Sequence, residues 1–231
     1  MDREDRLNAL AEQFEQCSPQ EILAWAVSEY SPDIAMSTGF GPSGIVLMHI
    51  MRQMGLDIPV FYIDTGFLFP EVHQLRALLE QTLGVRFERV VPTLDLEEQA
   101  QQFGEKLWER DPDTCCWLRK VLPLQAYLRG KRAWVSAIRA DQTPYRSRAK
   151  LIEWDERNQV VKINPLLRWS KDRIWEYIRH HRLPYNPLHD QGYPSVGCIP
   201  CTTPICEGED LRAGRWRGKA KFECGIHFQK G

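Results

Sequence analysis

The chain lacks long apolar runs: nowhere in its 231 residues does a stretch approach the roughly 20 apolar residues that a membrane-spanning helix needs. Its opening, Met1-Asp2-Arg3-Glu4-Asp5-Arg6, is charged and holds no apolar segment of the kind a secretory leader carries. An excess of one charge is missing as well. With 30 Lys and Arg against 31 Asp and Glu, the formal charge is −1, which excludes the strongly basic field of a generic nucleic-acid binder. Internal repeats, low-complexity tracts and heptad runs are also absent, which sets aside solenoids and coiled coils. The expectation is a cytoplasmic globular protein with neither nucleic acid nor membrane as partner. In that compartment thiols stay reduced, and grouped cysteines point to metal or redox chemistry more than to structural disulfides.

The seven cysteines are indeed grouped. Cys115 and Cys116 are adjacent, Cys198 and Cys201 form a C-x-x-C pair, and Cys224 stands in the run Lys221-Phe222-Glu223-Cys224-Gly225-Ile226-His227. Two pairs far apart in sequence suit a four-thiolate site assembled by folding. C-x-x-C spacing lets two thiolates reach one iron–sulfur cluster. Zinc competes, but four-cysteine zinc sites normally use two such knuckles, and the Cys115-Cys116 dipeptide departs from that pattern. Adjacent residues of a helix also diverge by about 100° around its axis. The expectation is an iron–sulfur cluster on Cys115, Cys116, Cys198 and Cys201, with zinc left open and Cys206 an alternative ligand. Cys17, in the N-terminal helix, reads as a small buried hydrophobe. Cys224 is either an inert terminal thiol or a nucleophile: Lys219, Lys221 and His227 bring positive charge that favours a thiolate, and Glu223 opposes it.

Hydrophobic periodicity gives the frame. Helices are expected up to Tyr30, with Ser18-Pro19 as N-cap and first turn of the second. Strands are expected over Asp33–Ser37, Pro59–Ile63, Val85–Val91 and Ala133–Ile138. Between them the pattern places helices over Ile45–Met54, Pro70–Leu83 (stopped by Gly84), Leu94–Phe103 and Cys115–Leu128. Leu151–Ile163 reads as a hairpin around Arg157-Asn158, and Ser170–His181 as a helix capped by Ser170. This alternation predicts an α/β fold, a mostly parallel sheet with helices on both faces. Residues 1–185 form the expected nucleotide-binding domain. Residues 186–231, rich in Gly, Pro, Cys and charge, form a C-terminal segment that is either organised by metal or a mobile arm.

Three polar constellations fall at strand ends. The turn Ser37-Thr38-Gly39-Phe40-Gly41-Pro42-Ser43-Gly44 would present backbone N–H groups and a helix N-terminus to an anion. No Gly-Lys-Ser/Thr follows it, so it is no Walker A loop. Asp64, in Asp64-Thr65-Gly66, ends the next strand and is either a ligand contact or a helix cap. Arg139 opens Arg139-Ala140-Asp141-Gln142, with Arg146 and Arg148 beyond. Seven Lys and Arg lie between Arg129 and Lys150 against the single acid Asp141, a field suited to a small polyanion. Arg212 and Arg215 form a similar pair in the tail. Each of these arginines has a bland alternative as a solvated surface charge.

Taken in order, these motifs resemble the assimilatory phosphosulfate reductases, in particular the adenosine 5′-phosphosulfate (APS) reductases that carry a [4Fe-4S] cluster. The likeness runs from about Asp33 to His227. It includes the loop Ser37–Gly44, Asp64-Thr65-Gly66, Cys115-Cys116 with Arg119-Lys120, and Arg139-Ala140-Asp141-Gln142. It continues through Pro184-Tyr185-Asn186-Pro187-Leu188, Gly197-Cys198-Ile199-Pro200-Cys201-Thr202, Gly214-Arg215-Trp216 and Glu223-Cys224-Gly225-Ile226-His227. The resemblance implies an adenine-nucleotide α-hydrolase-like fold with a modified phosphate loop. It implies APS reduction to sulfite and AMP through a Cys224 S-sulfonate, with thioredoxin or glutaredoxin as a separate reductant. It further implies Lys120, Arg139, Arg212 and Arg215 as substrate contacts, and the two cysteine pairs favour APS over its 3′-phosphorylated form, PAPS. Three rivals differ in class: a PAPS or dual-substrate reductase, a tRNA-thiolating ATP enzyme of the same loop type, and a zinc-stabilised interaction module. Nothing in the sequence reports oligomeric state, and a homo-oligomer is left open.

Overall fold

The computed structural model describes residues 2–227. Its centre is a six-stranded sheet made of β1 (Ile34–Ser37), β2 (Val60–Ile63), β3 (Phe87–Val90), β4 (Ala133–Val135), β5 (Ile152–Asp155) and β6 (Val160–Ile163). The order is β3-β2-β1-β4-β6-β5, with every neighbouring pair parallel except the β5–β6 hairpin. Met36 lies opposite Val60, and Ile34 opposite Ala133.

Period-2 alternation divides the sheet's side chains between two packed faces. Ile34, Met36, Val60, Tyr62, Val135 and Ile163 join one large core with α2 (Pro19–Tyr30), α3 (Pro42–Gln53), α4 (Pro70–Leu83) and α9 (Lys171–His180). Ala35, Phe61 and Trp134 point the other way, against Leu124 and Leu128 of α8 (Leu122–Leu128) and Ile226 of the tail. Burial on both faces explains why these strands read as short, nearly continuous apolar runs. Near the β5 edge, α1 (Arg3–Gln13) approaches the sheet, with the Arg3 guanidinium 4.1 Å over the Trp154 ring.

Local signals set most of the boundaries. Ser18 caps α2 in a reciprocal box with Glu21, with Pro19 in the first turn. Asp95 and Glu98 do the same for α5 (Leu96–Phe103), which starts two residues later than the expected Leu94. Gly84 ends α4 at φ 63°. Ser170 Oγ accepts from Arg173 N at 3.2 Å to start α9. The segment expected as one helix over Cys115–Leu128 is different. A short α6 (Leu107–Arg110) leads to α7 (Pro112–Cys116), a π-helical turn covers Trp117–Val121, and α8 follows. Pro123 has no N–H for the Arg119 carbonyl and its ring crowds that carbonyl; the widened turn relieves this.

This topology positions a crevice. The chain leaves β1 towards β2 on one side, while β4 joins β1 on the other, so the loops after β1 and β4 diverge at the carboxyl ends of adjacent strands. Such a switch point is where open α/β sheets bind ligands.

Candidate active site

The loop between β1 and α3 is built to hold its backbone near a ligand. Phe40 takes a left-handed φ of 58° and buries its ring edge-on against Tyr62 and Phe87, at 5.2 and 5.1 Å. Thr38 Oγ1 accepts from Phe40 N at 3.0 Å. A Cβ on Gly44 would stand 2.9 Å from that same Oγ1, so glycine there is a steric requirement. Gly41 caps α3 with no side-chain partner, which leaves the first N–H groups of that helix facing the crevice. Ser43 Oγ accepts from Arg139 Nη1 at 2.6 Å, and Ser37 Oγ from Trp134 Nε1 at 2.8 Å.

Above the crevice lies a cavity of about 360 Å³. The loop residues 37–44 border it together with Lys120, Arg139, Arg146, Arg212, Arg215, Cys224 and His227. Arg139 is braced by Asp141 at 2.9 Å as well as by Ser43. Arg215 Nη1 donates to Ser195 Oγ at 3.2 Å, while its buried Nε has no partner among the described residues. Lys120 makes no ion pair with a carboxylate among the described residues; it lines this cavity with Cys224 and a neighbouring cleft with Cys116 and Cys198, within electrostatic reach of all three sulfurs. Burial opposes its charge, but those sulfurs hold its pKa above the ordinary lysine value. The cavity is therefore cationic, shaped and lined by N–H donors, which suits an anionic nucleotide.

Asp64 is placed differently from the other candidate contacts. Its side chain is buried outside the cavity lining, paired with Arg89 at 2.8 Å and accepting from Gly66 N at 3.0 Å. It orders the turn after β2. Thr65, its neighbour, lines the cavity instead.

The cysteines separate into two environments. Cys115, Cys116, Cys198 and Cys201 border a second, narrow cleft with Arg119, Lys120 and Trp216. No disulfide joins any of the seven cysteines. Burial, then the neighbouring Cys198 and Cys201, pushes the Cys115 thiol up to about 11, and burial pushes Cys116 up to about 12. Thr65 Oγ1 is 3.3 Å from Cys198 Sγ, and Trp216 Nε1, on the cleft wall, is buried without a partner among the described residues. Arg119 ties the cleft to the sheet through Thr65 O at 2.5 Å and Gln99 Oε1 at 3.1 Å. Among the described residues no group of three or more His, Cys, Asp or Glu is drawn together as a site for a metal ion. Four soft thiol donors on one cleft, with an orphaned N–H on its wall, are chemically suited to a thiolate-ligated cluster.

Cys224 reaches the nucleotide cavity from the tail. Burial works against its thiolate, but Lys120 and the Ile226 N–H outweigh that, so its pKa lies below the ordinary value of 9.0. The tail is held on both sides of this thiol. Lys221 pairs with Asp113, Arg212 Nη2 donates to Phe222 O at 3.1 Å, and Arg157 Nη1 donates to Gly225 O at 2.7 Å. Glu223 is buried, clasped by Arg146 Nε and Nη2 at 2.9 and 3.0 Å. The His227 ring lies parallel to Trp134, centroids 5.4 Å apart. Burial, reinforced by Arg146, Lys162 and Arg212, drives its pKa well below the usual histidine value.

Of the candidate residues, Ser37, Thr38, Gly39, Phe40, Gly41, Ser43, Lys120, Arg139, Arg212, Arg215 and Cys224 meet on the cavity wall. Thr65, in contact with Cys198, and Trp216, on the cysteine cleft, stood in the sequence motifs without a role, and the Arg146–Glu223 pair went unread. A charge of each sign 77 positions apart leaves no local pattern by which to pair them.

Comparison with known proteins places these features. The phosphoadenosine phosphosulfate reductase domain matches residues 33–204. The chain is 48% identical over 223 residues to the adenosine 5′-phosphosulfate reductase of Salinibacter ruber, covering 96% of this chain and 88% of that one. It is 44% identical over 207 residues to adenosine 5′-phosphosulfate reductase 1 of Bacillus subtilis, covering 89% of each. A crystal structure of phosphoadenylyl-sulfate reductase from Candida auris, a phosphate complex, superposes with a TM-score of 0.77 at 28% identity, over 88% of this chain and 98% of that one. A Candida glabrata FMN adenylyltransferase shares the fold, with a TM-score of 0.59 at 19% identity over 88% of this chain and 69% of its own.

Proposed function

We propose, from the premise that this chain belongs to the phosphoadenosine phosphosulfate reductase family, that it reduces APS to sulfite and AMP. The observation that carries this reading is Cys224: a thiol with a depressed pKa, beside Lys120, on the wall of a cationic cavity at the sheet's switch point.

In this reading the N–H groups of the loop 38–44 and Arg139 hold the phosphosulfate, and Lys120, Arg212 and Arg215 neutralise charge on the departing nucleotide. The Cys224 thiolate attacks the sulfur of APS. The bond from that sulfur to the bridging oxygen breaks, its electron pair leaves with AMP, and Cys224 carries an S-sulfonate. A protein dithiol of the thioredoxin or glutaredoxin class then attacks Cys224 Sγ through one thiolate. Sulfite departs with the electron pair, and the reductant's second thiol resolves the mixed disulfide. The dithiol supplies both electrons.

Cys115, Cys116, Cys198 and Cys201 would hold a [4Fe-4S] cluster, which when bound ties α7 to the 198–201 turn and spreads thiolate charge beside Lys120. Iron and sulfide analysis of anaerobically purified protein separates this from zinc: about four of each per chain is expected. A cytoplasmic location fits the reduced thiols this chemistry needs, and among the described residues no helix is long and apolar enough to cross a membrane.

PAPS reduction is the second reading, favoured by the Candida auris neighbour. The Salinibacter ruber and Bacillus subtilis relatives, named for APS, are more similar at 48% and 44% identity. Sulfite release with thioredoxin held constant decides: a preference for APS of about tenfold or more in kcat/KM is expected, and the reverse preference overturns the assignment.

A further inference from the structure

Glu223 stands immediately before the thiol, is only 4% exposed, and has its carboxylate engaged by the loop after β4. Its two oxygens take three hydrogen bonds from outside the tail: Arg146 Nε at 2.9 Å and Thr143 Oγ1 at 3.1 Å on one oxygen, and Arg146 Nη2 at 3.0 Å on the other; Arg212 Nη2, from the tail itself, stands 3.6 Å from that second oxygen. Arg146 is itself fixed by Gln142 Oε1 at 2.5 Å, and Gln142 Oε1 accepts from Arg139 N at 3.0 Å. This network hangs from the loop after β4, the same loop that offers Arg139 to the cavity. The other contacts holding residues 221–225 are more exposed or run to backbone: Asp113, which pairs with Lys221, is 79% exposed, Arg157 donates to the Gly225 carbonyl, and Arg212 donates to the Phe222 carbonyl besides its longer contact with Glu223.

A fork-to-fork arginine–carboxylate contact fixes orientation as well as distance, which a lysine or a single hydrogen bond does not. One residue separates this contact from the nucleophile. We propose that Glu223 is a positioning residue, the latch by which Arg146 and Thr143 seat Cys224 beside Lys120 for attack on the substrate. The inference rests on the reading of Cys224 as the sulfur acceptor. It has a second half. Cys224 is only partly exposed and borders the cavity in the docked tail, so in this proposal the latch opens before a protein dithiol attacks and sulfite is released. Glu223 therefore serves the sulfonation half of the cycle and not the reductive half.

The test uses the full-length enzyme, with Glu223→Gln as the main variant and Glu223→Asp, which keeps the charge, as the graded one. S-sulfonate formation on Cys224 is followed by mass spectrometry in a single turnover with APS and no reductant. Displacing the nucleophile by about an ångström costs on the order of 100-fold, which is the loss expected for Glu223→Gln, with Glu223→Asp in between. AMP affinity, read by calorimetry, should stay within about threefold: Arg212 loses its ion pair with residue 223, but the loop 38–44 keeps its donors and Arg139 keeps Asp141 and Ser43. Sulfite release by thioredoxin from enzyme sulfonated by prolonged incubation should be unchanged or faster. Equal losses in both half-reactions, or sulfonation by both variants within about threefold of the parent, overturn the latch. If the parent itself forms no Cys224 S-sulfonate, the reading of Cys224 falls; if the parent forms it and Glu223→Gln matches it, the latch alone falls.

Discussion

Replacing Lys120 with Met keeps the stem and removes the ammonium, and so isolates its effect on Cys224. Lys120 is the largest influence favouring the Cys224 thiolate, against burial and the Glu223 charge. An opposite charge at close range shifts a pKa by about 1–3 units, so the substitution should raise the Cys224 pKa by about that much. Each unit lowers the thiolate fraction tenfold below the pKa, but a more basic thiolate is a better nucleophile, with a Brønsted slope of about 0.4–0.5. The net loss is then about three- to fourfold per unit, or about 3–60-fold in all at a pH below both pKa values. The assay is alkylation of Cys224 by iodoacetamide, scored by peptide mass from pH 6 to pH 10 without nucleotide. In the parent the rate should level off below pH 9.0, and in Lys120→Met it should still be climbing there. An unmoved inflection would refute the electrostatic argument for Lys120, whatever the variant does to turnover.

Three further outcomes follow from the site. His227 is held neutral when docked on Trp134, so its share of tail docking is complete above its ordinary pKa of 6.5 and is lost as pH falls below it; proteolytic cleavage near residue 220 should accelerate below pH 6.5 and not between pH 7 and pH 8. Asp64→Asn should destabilise the fold by only about 1 kcal/mol, since Arg89 is largely exposed, and leave the KM for substrate unchanged; a large rise in KM would restore Asp64 as a ligand contact. Gly44→Ala forces a Cβ to 2.9 Å from Thr38 Oγ1 and should weaken AMP binding while lowering stability by about 1–3 kcal/mol, measured by calorimetry and thermal unfolding.

What was legible in the sequence was chiefly what short-range chemistry decides. Ser18, Gly84 and Ser170 mark helix ends because capping is a matter of three or four residues. Apolar strands alternating with helices dictate a parallel sheet, and that sheet carries Ser37–Gly44 and Arg139 to the same edge. Other features depend on partners the chain meets only after folding. Asp64 reads in sequence as either a ligand contact or a helix cap, and its partner Arg89, 25 residues on, is visible only in the fold. The turn over Trp117–Val121 widens around Pro123 within a segment whose apolar pattern is helical throughout. Arg146 and Glu223 are ordinary charges in sequence and a buried clasp in the fold.

The central claim is that Cys224 accepts the sulfonate. Anaerobically purified enzyme incubated with sulfur-labelled APS and no reductant, then digested and mapped by mass spectrometry, tests it most directly. The account predicts label on the peptide containing Cys224, released as sulfite by thioredoxin and absent in Cys224→Ser. Label on any other residue, or undiminished labelling of Cys224→Ser, contradicts it.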